Sequence, residues 1–541
     1  MLQLEKFITL KDIFIIMDTI KAILSIDLGT SGPKVALFTV DGEAVDYDFS
    51  PTKYTLLPGG GSEQDPEEWW SAIKTASAKL FSRNSSLKNK VEAISVTSQW
   101  SGTVAVDKTG KHLMNAINWM DSRGATQVDR ITNGAIKIEG YGISKLATWL
   151  QLTGGIPSHS GKDPIAHILF IKENFPEIYN KTYKFLEPKD YLNLRLTGNF
   201  VSSYDTMILH WLTDNRDINN IHYSNKLLSM AGINRDKLPD MVDASDIIGT
   251  LSGKAAEELG LSGKIKVISG TPDVNSAAIG SGAISGKHAH IYIGTSSWMA
   301  SYVPFKKTDL FHNMGSFPSA LKGKYLIINE QETAGECINY LRDNIFFHDD
   351  ILNTKAPDNY YELINDLAGE SLPGSNNLIF TPWLYGERSP IDDRYIRAGF
   401  YNLSLEHTRK DIIRAVFEGV AFNNRWLLKY LEKIAGNQFE YINFIGGGAE
   451  SNLWSQILAD VLQREIRQID SPILANARGA AMLALIGLGY ITAEDIPGKI
   501  KVKAYYRPNT KNRNIYDRLF NEYLTIYKNN KNMYKRLNNG R

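Results

Sequence analysis

Cysteine occurs once in 541 residues, as Cys337. A lone thiol excludes an internal disulfide framework and any cysteine-rich zinc site, and it suits a reducing cytosol. No stretch approaches the roughly 18 consecutive apolar residues of a membrane span, so a soluble, cytoplasmic protein is expected. Net charge is missing too. The chain sets 60 Lys and Arg against 59 Asp and Glu, and no strong field draws it to nucleic acid or to an anionic membrane. The expected partner is a small molecule. Also absent are a Gly-x4-Gly-Lys-Ser/Thr phosphate loop, a His-Glu-x2-His pair and a calcium loop. His288 with His290, and His348 beside Asp349 and Asp350, lack spaced further ligands and are expected as surface or strand polar residues. Any metal is therefore expected on oxygen ligands.

The start of the chain has neither the basic segment, the unbroken apolar centre nor the cleavage site of a signal peptide, because Glu5, Lys6, Lys11 and Asp12 interrupt Phe7, Ile8 and Ile13 to Ile16. Residues 1–21 are expected as an appendage, with Met17 an equally good start. With 43% hydrophobic side chains, the remainder is too long for one core and fits two domains of roughly 250 residues each. The expected division is a first lobe over 22–283 and a second over 284–541, which ends in a helix and a basic tail.

Against these absences stands a repeated turn. Gly29-Thr30-Ser31 lies between the strand-like Ala22 to Leu28 and Val35 to Val40, and Gly294-Thr295-Ser296 follows His290 to Ile293. A glycine at such an apex lets backbone N–H groups and short hydroxyls approach phosphate oxygens without a Cβ in the way. Either turn alone reads equally well as an ordinary hairpin. Their pairing suggests two lobes facing one nucleotide.

Asp41-Gly42 predicts a hairpin into a third strand over Glu43 to Phe49. Asp65-Pro66-Glu67-Glu68 predicts a helix start, with Trp69, Trp70, Ile73 and Ala76 inside. Val91 to Thr97 is the next buried strand and runs into the loop Ser98 to Gly102. Residues 124–262 are mostly helical in pattern, and Ile265 to Ser269 is a strand leading into Gly270-Thr271-Pro272-Asp273. In the second lobe, strands are expected over His290 to Ile293, Met299 to Val303 and Tyr325 to Asn329. Helices are expected over Arg409 to Tyr430, Leu453 to Leu462 and Ala475 to Leu488. Tyr516, Phe520, Tyr523 and Tyr527 share a helical face that should dock, before a frayed end at Lys531 to Arg541.

Phosphoryl transfer needs positioning, neutralisation of charge by Mg²⁺ and a base near the acceptor hydroxyl. Asp27 ends a buried strand just before the first turn, where a carboxylate can hold Mg²⁺; a strand-end Asp capping its own turn is the plain alternative. Asp273 sits behind Gly270 and Pro272 at the start of a small-residue helix, whose dipole keeps a carboxylate ionised and able to accept a hydroxyl proton. A simple helix cap would use the same residues. Gly446-Gly447-Gly448-Ala449 follows the strand-like Tyr441 to Ile445 and suits close contact with adenosine, or equally tight helix packing.

In this order the pieces resemble the FGGY family of carbohydrate kinases, most of all its xylulose-kinase branch, from Ala22 to about Tyr527. Ile26 to Lys34 is similar to the family's opening phosphate motif, Asn118-Trp119-Met120-Asp121-Ser122-Arg123 to a stretch beside its sugar pocket, and Ser269 to Asp273 to the loop bearing its catalytic base. Pro382 to Pro390, Ala398-Gly399-Phe400 and Asp411 to Glu418 follow a family signature with Asn402 in place of the usual glycine. Gly447 to Asn452 resembles the adenosine motif. In the sugar loop, Gln99-Trp100-Ser101-Gly102 departs from the Gln-Met-His-Gly usual in xylulose kinases and lacks the Arg-Glu pair of glycerol kinases.

The resemblance implies an α/β, two-lobed actin-like ATPase fold of the ribonuclease-H type, each lobe a mixed sheet flanked by helices. It implies ATP-dependent phosphorylation of a sugar or polyol, D-xylulose first, with ATP and Mg²⁺ as cofactors. Asp273 would be the base and Asp27 would organise Mg²⁺. Gly29, Thr30, Ser31, Lys34, Gly294, Thr295 and Ser296 would hold phosphates, Gly447, Gly448 and Asn452 the adenosine, and Gln99, Trp100, Ser101, Trp119 and Asp121 the sugar. Dimers are common in the resembled family, so a homodimer is among the expectations, although nothing in the sequence specifies an interface. The rivals are a non-catalytic actin-fold ATP switch and a sugar sensor, which fold alone allows.

Overall fold

Residues 21–309, 312–351 and 355–539 are described by the computed structural model. The appendage expected before Lys21, and Met17 with it, lie outside the described residues. The chain divides into two compact units. The first runs to Ser276 and takes in Ala320–Lys322 and Asn476–Lys499; the second comprises Ala277–Ser319, Gly323–Ala475 and the chain from Ile500 onward.

In the first unit, β1 (Ala22–Gly29) is buried along almost its whole length, the pattern of a strand covered on both faces. The turn Thr30-Ser31 returns it as β2 (Gly32–Thr39), and β3 (Ala44–Phe49) forms an edge with alternating exposure. Helix α1 (Pro66–Arg83) begins where expected: Pro66 occupies the first helical position, and the Asp65 carboxylate accepts the Glu67 N–H at 2.9 Å. Strand β4 (Val91–Ser98), helix α2 (Pro188–Thr197) and strands β5 (Ile247–Thr250) and β6 (Lys266–Pro272) complete the frame. The sheet order is β5-β6-β4-β1-β2-β3, with β6, β4 and β1 parallel and the other neighbours antiparallel. Trp69, Trp70, Tyr191, Leu24, Ile26 and Val96 share its main core, and each such buried side chain stabilises by about 1.5–3 kcal/mol relative to exposure.

Strand β6 outruns its expected end at Ser269. Pairing jumps from Ile268–Ser95 to Thr271–Thr97, the signature of a bulge, and resumes to Pro272. Lys189 Nζ (3.0 Å) and Asn193 Nδ2 (2.7 Å) on α2 both donate to the Ser269 carbonyl, which replaces its ladder bond. Helix α3 (Asp273–Ser281) follows directly.

The second unit repeats this frame. Strands β7 (His288–Ile293), β8 (Ser297–Val303), β9 (Tyr325–Gln331), β10 (Tyr441–Ile445), β11 (Glu465–Ile469) and β12 (Val502–Tyr506) lie in the order β9-β8-β7-β10-β11-β12, extended past β9 by Met314–Pro318 and Thr308–Asp309. Position by position, their directions match those of the first sheet: three parallel strands, β11, β10 and β7, then two antiparallel returns, with an antiparallel strand at the other edge. The units are thus two copies of one plan. The long helices α4 (Arg409–Ala435) and α5 (Asn452–Leu462) form close to their expected spans, as does α6 (Ala475–Gly487), whose residues from Asn476 belong to the first unit; α7 (Arg513–Asn538) runs past the expected start of fraying.

Two details correct or explain the sequence reading. The C-terminal end is not frayed over its described residues: α7 continues to Asn538 because Tyr534 is buried with its hydroxyl against that of Tyr401, and Asn538 Nδ2 donates to the Tyr395 carbonyl at 2.9 Å. Asn402, at a position where the resembled family has glycine, adopts φ of 67°, a left-handed turn that asparagine tolerates better than most residues. Among the described residues, Cys337 is buried as a free thiol, and no helix is long and apolar enough to cross a membrane.

His290 lies at the centre of β7, fully buried, and neither ring nitrogen hydrogen-bonds within the described residues. Burial lowers its pKa to about 3. The folded state therefore keeps it neutral while the unfolded state takes up a proton below about pH 6.5, so its contribution is intact above that pH and is lost as pH falls toward 3. Replacing it by leucine is expected to remove about 1.4 kcal/mol of acid destabilisation per pH unit below pH 6.5. In thermal melts, the midpoint difference between His290→Leu and wild type should grow in the variant's favour from pH 6.5 to pH 4; a constant difference would contradict the assignment.

Candidate active site

Three parallel strands of the first sheet end at one edge, and the candidate residues leave from there. Register aligns Asp27 on β1 with Thr97 on β4, and Thr97 with Thr271 on β6. Beyond these ends come Gly29-Thr30-Ser31, then Gln99-Trp100-Ser101-Gly102, then Asp273, each one inter-strand step of about 4.8 Å further across the sheet. Open α/β sheets place ligands beyond the carboxyl ends of their parallel strands.

Asp27 is buried, and Lys34, its partner across the hairpin, brings Nζ to 3.5 Å from its carboxylate. The turn that follows cannot widen. A Cβ on Gly32, whose φ is 138°, would stand 2.2 Å from the Ser50 carbonyl oxygen. Ser31 is exposed, with its carbonyl held by the Thr52 N–H at 2.9 Å. The Thr30 hydroxyl accepts Trp119 Nε1–H (2.9 Å) and donates to Gln99 Oε1 (3.0 Å), while the Thr30 carbonyl accepts from Gln64 Nε2 (2.9 Å).

The loop Gln99-Trp100-Ser101-Gly102 after β4, expected to be the acceptor loop, is tied at each residue. The Gln99 N–H donates to the Leu28 carbonyl, and its side chain is buried, with Nε2 donating to Gln64 Oε1 at 2.6 Å. Trp100 Nε1 donates to the Thr206 carbonyl, and Ser101, in a left-handed conformation at φ of 66°, donates its hydroxyl to the Lys162 carbonyl. Gly102 gives its N–H to Glu187 Oε2 at 2.9 Å, and a Cβ there would meet the Pro188 ring at 2.6 Å. Asp121 is buried with both oxygens engaged, by the Ser62 N–H on one and the Arg123 backbone on the other, while the Arg123 guanidinium also reaches it. That carboxylate organises the loop around Trp119.

Asp273 opens α3 half-buried, with Oδ1 accepting the Val274 N–H at 2.8 Å. Its backbone is aimed by the bulge before it. Gly270 has φ of 72°, and a Cβ on it would fall 1.9 Å from the Val96 carbonyl oxygen. Past the bulge, the buried Asp205 carboxylate accepts from the Thr271 hydroxyl and from Asn275 Nδ2 (3.1 Å), which fixes the residues on both sides of Asp273.

Glu187, Gln64 and Asp205 escaped sequence reading. Glu187 stands at the helix N-cap position of α2 but forms no cap; its side chain turns to Gly102. Burial, reinforced by Asp190, pushes its pKa well above the carboxylate range, and Oε1 has no partner within the described residues. His210 Nδ1, 4.0 Å away, is likewise unpartnered, and burial lowers the ring's pKa to about 3. The only sequence signal was a polar residue immediately before Pro188, as Gln64 lies shortly before Pro66.

In the second unit, the hairpin β7–β8 carries Gly294, Thr295 and Ser296, with the Gly294 N–H closing on the Ser296 carbonyl at 2.9 Å and Thr295 exposed. Tyr292 and Trp298 stack at 3.9 Å beside it. Strand β10, parallel to β7, leads into the glycine run. Cβ atoms on Gly446 and Gly448 would lie 2.5 Å from the Ile293 carbonyl and 2.7 Å from the Ile293 side chain, so both are required for packing, whereas Gly447 is exposed with open space. Ser451 caps α5 through the Trp454 N–H, and Asn452 Oδ1 accepts from Gln468 Nε2 and the Tyr506 hydroxyl.

No group of three or more His, Cys, Asp or Glu able to hold a metal ion exists among the described residues. One buried carboxylate beside a phosphate-type turn fits Mg²⁺ that arrives on a nucleotide, since that ion takes one or two carboxylates and fills its octahedron with phosphates and water.

Comparison with known proteins agrees with this frame. Residues 22–280 match the N-terminal domain, and residues 289–488 the C-terminal domain, of the FGGY family of carbohydrate kinases. A xylulose kinase of Bacillus subtilis (strain 168) is 31% identical over 524 residues, covering 95% of this chain and 98% of its own. Two solved structures from Lactobacillus acidophilus, a gluconate kinase and a ligand-bound xylulose kinase, each superpose with a TM-score of 0.82 at 25% identity, over 96% of this chain and 100% of theirs. The frame is accordingly the actin-like ATPase fold.

Gly270→Ala should cost about 2–5 kcal/mol, from left-handed strain and the clash with Val96 together. A denaturation midpoint equal to wild type would contradict the bulge geometry. This chain belongs to the FGGY family of carbohydrate kinases, enzymes that use ATP as phosphate donor.

Proposed function

We propose that this chain transfers the γ-phosphoryl group of ATP to a hydroxyl of an open-chain sugar, with D-xylulose the first acceptor and gluconate the second. The observation that carries the proposal is the common edge from which the phosphate turn, the acceptor loop and Asp273 all leave β1, β4 and β6. The relatives' names supply the two acceptors. Trp100 and Ser101 replace the Met-His usual in xylulose kinases, and exchange of hydrogen-bonding groups in an acceptor pocket redirects specificity while leaving transfer intact.

In this reading Asp273 takes the proton of the attacking hydroxyl; the hydroxyl oxygen bonds to the γ-phosphorus, the bond to the bridging oxygen breaks, and ADP leaves. Asp273 opens α3, and a helix N-terminus favours a negative charge at that position. Asp27 and Lys34 meet the phosphate end of the nucleotide with the Gly29 turn, and Mg²⁺ bound there would neutralise charge on the transferring group. The second unit's Gly294 turn is assigned to phosphate, and the run from Gly447 to Asn452 to adenosine. The lone buried thiol and the absence of a spanning helix among the described residues support a cytoplasmic place for the reaction.

The test is sugar-dependent ADP release with Mg²⁺·ATP across ketopentoses, gluconate and polyols. Asp273→Ala is expected to lower kcat by about 10²–10⁴-fold, the usual share of a general base, with acceptor affinity retained. Near-wild-type turnover by that variant would remove Asp273 from the role.

A further inference from the structure

Gln64 carries none of the roles expected from the sequence, yet it closes a ring of hydrogen bonds around Thr30. Its Nε2 donates to the Thr30 carbonyl at 2.9 Å and, more weakly, to the Lys53 carbonyl at 3.4 Å; its Oε1 accepts from Gln99 Nε2 at 2.6 Å. Gln99 Oε1 in turn accepts the Thr30 hydroxyl proton at 3.0 Å, and that hydroxyl accepts from Trp119 Nε1 at 2.9 Å. The directions are mutually determined. Turning the Gln64 amide over would set its oxygen against the Thr30 carbonyl, and turning Gln99 over would set its oxygen against that of Gln64.

The ring joins three parts of the first unit that the chain keeps far apart: the phosphate turn, the acceptor loop after β4 and the stretch carrying Trp119. Gln64 and Gln99 are both buried, so neither bond is weakened by competing water. Thr30 is held at its carbonyl and its hydroxyl together, which sets the plane of the peptide that presents the Ser31 N–H at the turn.

From this arrangement we infer that Gln64 is a positioning residue that couples the acceptor pocket to the phosphate turn. The inference rests on the proposed sugar kinase reading. An acceptor that packs against Trp119 and the Gln99 loop favours the conformation in which the ring is closed, and the same ring holds the turn that a phosphate group meets second, so the coupling is positive. By linkage, the nucleotide must then tighten the acceptor by the same factor.

Calorimetric titration of the full chain with D-xylulose and with gluconate, each with and without Mg²⁺·ADP, measures that factor directly. For wild type, Mg²⁺·ADP is expected to tighten the bound sugar at least about fivefold, the lower end of ordinary coupling. Gln64→Met keeps the side chain's length and removes both polar ends; whatever its affinity for the sugar alone, the ratio of its affinities with and without Mg²⁺·ADP should fall below about twofold. Gln64→Leu likewise removes both the acceptor for Gln99 and the donor to Thr30, so it should lose the coupling in the same way, and it serves if the Met variant does not fold. A wild-type coupling factor in either folded variant overturns the inference, as does wild type that binds sugar with no coupling. Wild type that binds neither sugar removes both proposed acceptors, and the inference that rests on them.

Discussion

The close approach of β6 to β4 at Gly270 is the constraint on which the placement of Asp273 depends. With its φ of 72° and its α-carbon pressed toward the Val96 carbonyl, Gly270 lets one extra residue enter the strand without breaking the sheet. The carbonyl this displaces, on Ser269, is satisfied by Lys189 and Asn193 of α2. Pairing then resumes for two residues, and Asp273 begins its helix at the level where β1 and β4 also end. Without the bulge, the alternation of the strand would turn Thr271 and Asp273 to other faces.

Around that constraint the first unit spends buried polar groups freely. Glu187 holds Gly102, Asp205 holds Thr271 and Asn275, Asp121 holds Ser62 and Arg123, and Gln64 with Gln99 holds Thr30. Glu187, Asp121 and Gln64 satisfy backbone groups where the chain leaves regular structure, while Asp205 ties two side chains that flank Asp273. Buried unpaired polar groups are costly, so the loops can keep only the conformations in which these partners meet. Rigid loops on a rigid edge are what phosphoryl transfer asks of a protein, since positioning does most of the work.

Much of this was legible beforehand, and the reason is locality. The Gly-Thr-Ser turns, the Asp65-Pro66 helix start and the docking face of α7 are each written in a few adjacent residues, and all are present in the fold. What stayed hidden depends on distant partners. Gln64 and Gln99 are 35 residues apart, Glu187 and Gly102 are 85 apart, and no local pattern marks either pair. The same applies to the end of β6, where α2 supplies the bonds, and to the tail, where Tyr401 and Tyr395 hold a segment that composition alone marks as solvated. Gln99 illustrates the limit: its place in the loop after β4 is legible, but the commitment of its amide to Thr30 and Gln64 is not.

The central claim is that the ends of β1, β4 and β6 form one reaction edge. A crystal structure with D-xylulose or gluconate and a non-hydrolysable ATP analogue tests it most directly. The account predicts an acceptor hydroxyl within hydrogen-bond reach, about 2.6–3.2 Å, of the Asp273 carboxylate, with the sugar against Trp119 and the Gln99 loop. A sugar bound with its hydroxyls away from Asp273 and from that strand edge would contradict it.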